Sequence, residues 1–271
     1  MESLDLTPAE SLMIISPSAG GDEMIKFTLI DLLLKKSLKL NTEDKSHFLK
    51  RSHDNMVFRV GEQSKISLKP HEEILMELLF EYRELKLNEF KNEFAKKIKS
   101  STEYKNKYIR DPLVEKGYFE RQRKMLLALA PYTVYILTDS GLEAKSRIME
   151  LLDAAENLEK WMREDLGRAR SYLSVLGSHI LLTNYDIEDI KKFNRILSYL
   201  KPEFNTPKYY DYYIYTVPPG YLDDYGNLKS LNFLDISLLD YFNSFDDFLV
   251  DKNMPVSRKI ERRTKNKEFI Q

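Results

Sequence analysis

The 271-residue chain has no cysteine, which excludes disulfides and thiolate metal sites and permits a reducing compartment. Its four histidines, His47, His53, His71 and His179, show no metal-ligand spacing. Glycine is scarce, at nine residues. The glycine-bearing turn Ser16-Pro17-Ser18-Ala19-Gly20-Gly21 lacks the lysine-serine or lysine-threonine pair that holds phosphate and magnesium. The carboxylate pair Glu72 and Glu73 falls at a helix start, where it complements the dipole without acid-base chemistry. No apolar run approaches the roughly 20 residues of a membrane-spanning helix. The segment Met1-Glu2-Ser3-Leu4-Asp5 has neither the basic start nor the apolar stretch of a signal peptide. These absences predict a cytoplasmic protein that is not an enzyme and takes no metal or cofactor.

What is present is charge, 31% of residues, beside an apolar content of 42%, the profile of a globular chain able to bury a core. The net charge of −1 hides a segregated distribution. Residues 1–34 sum to −5, 35–124 to +7, 125–250 to −7 and 251–271 to +4. Such a molecule presents a basic face to an anionic polymer or surface, unless the charge runs are simply solvated helix faces.

Hydrophobic periodicity predicts a mainly α fold, a helical bundle with a small winged-helix-like β-hairpin. Thr7-Pro8-Ala9-Glu10 is a capping box with proline at the first helical position. Met24 to Leu34 is apolar nearly all round and reads as a buried central helix. Alternation at Leu38, Leu40 and then Met56, Phe58 and Val60 predicts strands. Helical spacing returns at Ile74, Leu75, Leu78, Leu79 and Tyr82, and again at Leu87, Phe90, Phe94 and Ile98. A third helix, near 102–115, ends at Gly117 and has Pro112 to absorb or to break on. Tyr118–Arg121 and Thr133–Leu137 have strand composition. Ser140 and Glu143 form a second capping-box pattern, launching a helix that reaches Trp161, and helices near 166–182 and 187–200 complete the bundle. Three parts follow: a helical domain over 1–204, an aromatic and acidic extension over 205–250 that packs on the domain or a partner, and a basic mobile tail over 251–271.

Two binding readings share one set of residues. Between the hairpin strands, Arg121, Arg123 and Lys124 precede an apolar tip carrying Met125, Leu126, Leu127 and Leu129. As a lipid wedge, the tip dips into a bilayer interface while the cations draw anionic headgroups. As a winged helix, Lys105, Lys107 and Arg110 on the third helix meet nucleic-acid phosphates and bases. Self-association through the hairpin, and a protein scaffold that grips a partner through the aromatic extension, are further alternatives.

Leu6-Thr7-Pro8-Ala9-Glu10-Ser11-Leu12-Met13 resembles the opening helix of the Golgi phosphoprotein 3 family. Leu29-Ile30-Asp31-Leu32-Leu33-Leu34-Lys35-Lys36-Ser37-Leu38 is similar to its central helix, and Leu113-Val114-Glu115-Lys116-Gly117 to the approach to its apolar hairpin. Arg170 to Leu182 resembles a later bundle helix, so the likeness runs from about residue 4 to residue 200. It implies a compact helical domain, a small helical bundle ringed by amphipathic helices, that binds a phosphoinositide headgroup such as phosphatidylinositol 4-phosphate. It also implies peripheral membrane docking and engagement of the short basic or aromatic tails of membrane proteins. The family's headgroup tryptophan and arginines are not retained: two positions fall at about Glu103 and Asn106, and the loop before the central helix offers only Lys26 just inside the helix. The headgroup-facing residues implied here are therefore Lys26, Lys105, Lys107, Arg110, Arg121, Arg123 and Lys124.

Overall fold

A computed structural model of the chain describes residues 5–42, 56–61, 67–126, 130–186, 188–190 and 192–193. The expected extension over 205–250, the basic tail over 251–271 and the loop positions Leu127 and Leu129 lie outside the described residues. The fold is mainly helical with two small antiparallel sheets. Among the described residues no helix is long and apolar enough to cross a membrane.

Helix α1 (Pro8–Ile15) opens as its capping box dictates: Glu10 N–H donates to Thr7 Oγ1 at 3.2 Å, and Thr7 N–H donates to the Glu10 carboxylate at 2.9 Å. Helix α2 (Gly21–Leu34) runs through the centre, with Met24, Ile25, Leu29 and Leu32 fully buried. A helix apolar on every side has no solvent face to present, so α1 and the later helices α3 (Pro70–Tyr82) and α5 (Ser101–Tyr104) pack around it. Its start is possible only with glycine: a Cβ on Gly21 would sit 1.9 Å from the Ser101 carbonyl oxygen.

After α2 come β1 (Leu38–Thr42) and β2 (Met56–Val60), paired antiparallel with Leu40 opposite Phe58. Helix α3 (Pro70–Tyr82) follows, then β3 (Glu84–Lys86), which adds to β2 with Leu85 opposite Phe58. Arg83, at φ 64°, turns the chain sharply from helix into strand. This third strand is too short for any periodicity to announce it. Helix α4 (Leu87–Lys97) then carries Phe90 and Phe94 into an aromatic row from Phe58 to Tyr104, with ring centroids 5.0, 6.2 and 5.8 Å apart.

The third expected helix is one continuous rod of three pieces: α5 (Ser101–Tyr104), a π-helical turn (Lys105–Arg110) and α6 (Asp111–Glu115). Pro112 does not break it. In the π-turn Asp111 N–H reaches back to the Asn106 carbonyl, and this wider pairing makes room where proline has no N–H to give. The rod ends in a Schellman motif: Tyr118 N–H donates to Leu113 O at 2.9 Å and Gly117 N–H to Val114 O at 3.0 Å, with Gly117 at φ 78°.

The hairpin consists of β4 (Phe119–Leu126) and β5 (Ala130–Leu137), longer than its composition suggested, paired from Phe119 opposite Leu137 to Leu126 opposite Ala130. Helix α7 (Asp139–Asp153) follows, and here one expectation is corrected. The N-cap is Thr138, whose Oγ1 accepts from Gly141 N–H at 3.1 Å, and Ser140 lies inside the first turn. Helices α8 (Leu158–Glu164) and α9 (Leu166–Leu176), with single 3₁₀ stretches over Ala154–Asn157 and Gly177–Leu182, form a second apolar cluster around Leu158, Leu173 and Leu176.

Candidate functional site

The rod and the hairpin carry most of the expected cations, in three different roles. Lys105 is turned inward, with 8% of its surface exposed, and its Nζ donates to the Pro17 and Ala19 carbonyls at 2.6 Å each. Burial, with the Arg110 charge close by, pushes its ammonium down to about 8, against a smaller opposing pull from Glu23. Lys105 is thus a clamp between the π-turn and the α1–α2 loop, not a group facing a ligand. Lys26 is likewise buried, within α2.

Arg110 and Arg121 converge on Tyr135. The Arg110 guanidinium stands 4.5 Å from the Tyr135 ring centroid and that of Arg121 stands 5.8 Å from it, so the ring is a shared cation–π platform. Arg121 also pairs with Asp111, and that carboxylate holds the guanidinium proton more firmly. Arg110 Nε is buried without a hydrogen-bond partner. Lys107 is exposed at the surface of the rod, its Nζ 5.0 Å from the Tyr108 ring centroid.

Further out, Arg123, Lys124 and Met125 are all exposed. Met125, 60% exposed, is the most open of the large apolar side chains described, and Tyr132, 44% exposed, stands next to it along the ribbon. The structure therefore brings Arg110 and Arg121 together at Tyr135 and sets Arg123, Lys124 and Met125 further along the same ribbon, whereas Lys107 is exposed on the rod and Lys26 and Lys105 are buried.

Two features were not anticipated. Tyr135 looks like any strand tyrosine until the register puts it directly opposite Arg121. The second is a buried polar cluster under α1, holding Glu10, Asp31 and Glu72 at 1%, 0% and 1% exposure. Lys35 Nζ lies 2.7 Å from both Asp31 and Glu72, and Lys116 Nζ lies 3.0 Å from Glu10. Those two carboxylates hold the Lys35 proton well above the usual lysine range, although burial itself pulls the other way and is the largest single influence. Glu72 Oε2 also accepts Lys69 N–H at 2.8 Å. A signal was available: Thr7-Pro8-Ala9-Glu10 and Lys69-Pro70-His71-Glu72 share a proline at the first helical position and a carboxylate two residues on.

No family model matches this chain, and no curated protein matches it.

Proposed function

We propose that this protein docks peripherally on anionic lipid surfaces, with the hairpin end as the apolar wedge and Arg121, Arg123 and Lys124 as the charge that draws it in. The observation that carries the reading is Met125, 60% exposed at the far end of a basic ribbon. Moving a side chain of that size from water into the acyl boundary contributes about 1.5–3 kcal/mol. Each basic group held near an anionic surface adds about 1 kcal/mol. The sum supports reversible attachment and falls well short of permanent anchoring. Arg110 and Tyr135 serve behind the surface by fixing where Arg121 stands.

The resemblance to the Golgi phosphoprotein 3 family points the same way, toward an anionic headgroup of the phosphoinositide kind. Without the family's arginines, the cations available along β4 attract negative charge rather than select one headgroup. A nucleic-acid reading has less to stand on, because Lys105 is committed to backbone carbonyls and Arg110 to Tyr135. That leaves Lys107 alone of the three cations expected to read bases.

Co-sedimentation with vesicles of phosphatidylcholine alone, or with added phosphatidylserine or phosphatidylinositol 4-phosphate, tests the proposal. Partitioning is expected only with the anionic lipids. Met125→Asp should weaken it about tenfold or more, since about 1.4 kcal/mol corresponds to a factor of ten. Equal partitioning of wild type and Met125→Asp would remove the wedge.

A further inference from the structure

The hairpin is a long ribbon with little beneath it. Eight paired positions at about 3.4 Å per residue give roughly 27 Å of length. Its root is anchored by buried Phe119, whereas Arg123, Lys124, Met125, Tyr132, Thr133 and Ile136 are exposed. Alternate residues share a face, so Tyr132, Val134 and Ile136 line one side of β5, with Lys124 directly opposite Tyr132. Among the described residues neither outer edge of the ribbon carries a further strand. A two-stranded ribbon with aromatic, β-branched and basic groups open to water is marginal alone and suits an extended partner of aromatic and acidic character.

The chain itself contains that partner. Residues 207–248 hold seven aspartates against two lysines, among twelve tyrosines and phenylalanines. Within them, Tyr209-Tyr210-Asp211-Tyr212-Tyr213-Ile214-Tyr215-Thr216-Val217 is composed almost wholly of residues that favour a pleated, half-buried surface. The stretch between Phe193 and Pro207 spans up to about 45 Å when extended, more than the length of the ribbon, so reach is no obstacle.

We propose that residues 207–248 dock in cis along the hairpin, with their tyrosines on the Tyr132–Ile136 side and their aspartates against Lys124, which shares that side. The segment then occupies Lys124, one of the groups that an anionic bilayer uses, and membrane and segment compete for it. This regulatory role rests on the lipid-docking reading, whereas the cis contact itself does not.

The absence of native cysteine permits a clean test in the full chain. Ile136→Cys, carrying a benzophenone maleimide, places a photo-crosslinker on the exposed docking side of the ribbon. In lipid-free buffer the adduct is expected at single-chain mass and to map within residues 207–248. Adducts at double mass, adducts mapped elsewhere in the chain, or no adduct at all would each overturn the cis contact. In a second arm, the triple variant Asp211→Asn, Asp223→Asn, Asp224→Asn should lower the crosslink yield and raise partitioning onto phosphatidylserine vesicles several-fold. Unchanged partitioning of a chain that does bind those vesicles would overturn the competition. A crosslink within 207–248 in a chain that binds no vesicle would uphold the contact and remove the lipid reading. Vesicle binding without a crosslink would do the reverse.

Discussion

Acid should loosen this fold through two histidines that hold α1 by hydroxyls one helical turn apart. His71, from α3, shares a hydrogen bond with Thr7 Oγ1 at 2.9 Å, and His179, from the 3₁₀ stretch after α9, shares one with Ser11 Oγ at 2.9 Å. Both rings are buried, and burial lowers their affinity for a proton. For His71, Glu10, Glu72 and Asp31 favour the proton and Lys35 opposes it. For His179, Asp31, a hydrogen bond to the Leu176 backbone and Glu10 favour it, and Lys35 again opposes. Burial outweighs the carboxylates in each case. The unfolded chain takes up these protons as pH falls through about 6.5, while the folded chain still refuses them. The unfolded state therefore binds more protons below that value, so stability is fully present above it and falls as pH is lowered. Each proton carries a limiting slope of about 1.4 kcal/mol per pH unit, so the pair approaches about 3 kcal/mol per unit. Against a total of about 5–15 kcal/mol that loss is large. Urea unfolding followed by far-ultraviolet circular dichroism and by the single tryptophan, Trp161, measures it at a series of pH values. His71→Gln and His179→Gln keep a polar group opposite each hydroxyl but cannot titrate. Each should roughly halve the slope between about pH 6.5 and 5.5, and the double variant should be nearly flat there. A double variant that retains the wild-type slope would refute the reasoning.

Two glycines separate steric from conformational cost. Gly21→Ala should destabilise by several kcal/mol, about the range of overpacking in a closed site, because its Cβ would lie 1.9 Å from a backbone oxygen that has no room to retreat. Gly117→Ala meets nothing within 4 Å, so it should cost only about 1–2 kcal/mol for holding φ at 78°. Thermal unfolding of the two variants should rank them in that order, and equal losses would undo the distinction. Lys105→Met strips the donor from the Pro17 and Ala19 carbonyls and should cost about 1.5–3 kcal/mol. With a folded value of about 8 against the usual 10.5, the wild type binds fewer protons folded than unfolded between those values, so its stability rises with pH there. The variant should lack this alkaline gain, and a matching rise in both proteins would show that Lys105 is not its source.

The sequence reading succeeded where the physics is local. The Thr7–Glu10 box, the all-round apolarity of α2 and the Gly117 cap depend on neighbours within a turn or two, and each is where the pattern put it. The reading fell short where distant segments decide. Whether a helical lysine points out or in depends on what crosses it. Lys105 turns inward because the Pro17–Ala19 carbonyls, more than eighty residues away in the chain, need donors. Thr138 takes the cap from Ser140 because its N–H ends the hairpin side at Tyr118 O, 3.1 Å away, which fixes where α7 must begin. The three-residue β3 exists only because Phe58 and Val57 already offer an edge. For the candidate site, Arg121, Arg123, Lys124 and Met125 were legible as a basic flank beside an apolar end. The Tyr135 platform was not, since only strand register puts a ring opposite Arg121.

The same register gives the lightly supported ribbon a fixed direction, which bears on the docking proposed for it. Its root is fixed several times over: Phe119 is buried, Thr138 Oγ1 donates to the Gly117 carbonyl, and Gly141 packs so closely that a Cβ there would lie 2.1 Å from Tyr118 O. Arg110 and Arg121 then grip Tyr135 partway along the ribbon, with Asp111 holding Arg121 from the rod. The ribbon's direction is thereby set by α6 and α7, while Arg123, Lys124 and Met125 beyond the grip touch little of the body. A surface that meets Met125 meets a side chain already aimed, so little orientational freedom remains to be lost on contact and more of the burial energy remains for attachment. Loosening the grip without altering the end separates these contributions. Tyr135→Leu removes the cation–π platform and leaves Met125, Arg123 and Lys124 in place, so vesicle partitioning should weaken while the fold stays intact by circular dichroism. Partitioning that is indifferent to Tyr135→Leu but lost in Met125→Asp would mean that the wedge acts alone and that its aim contributes nothing.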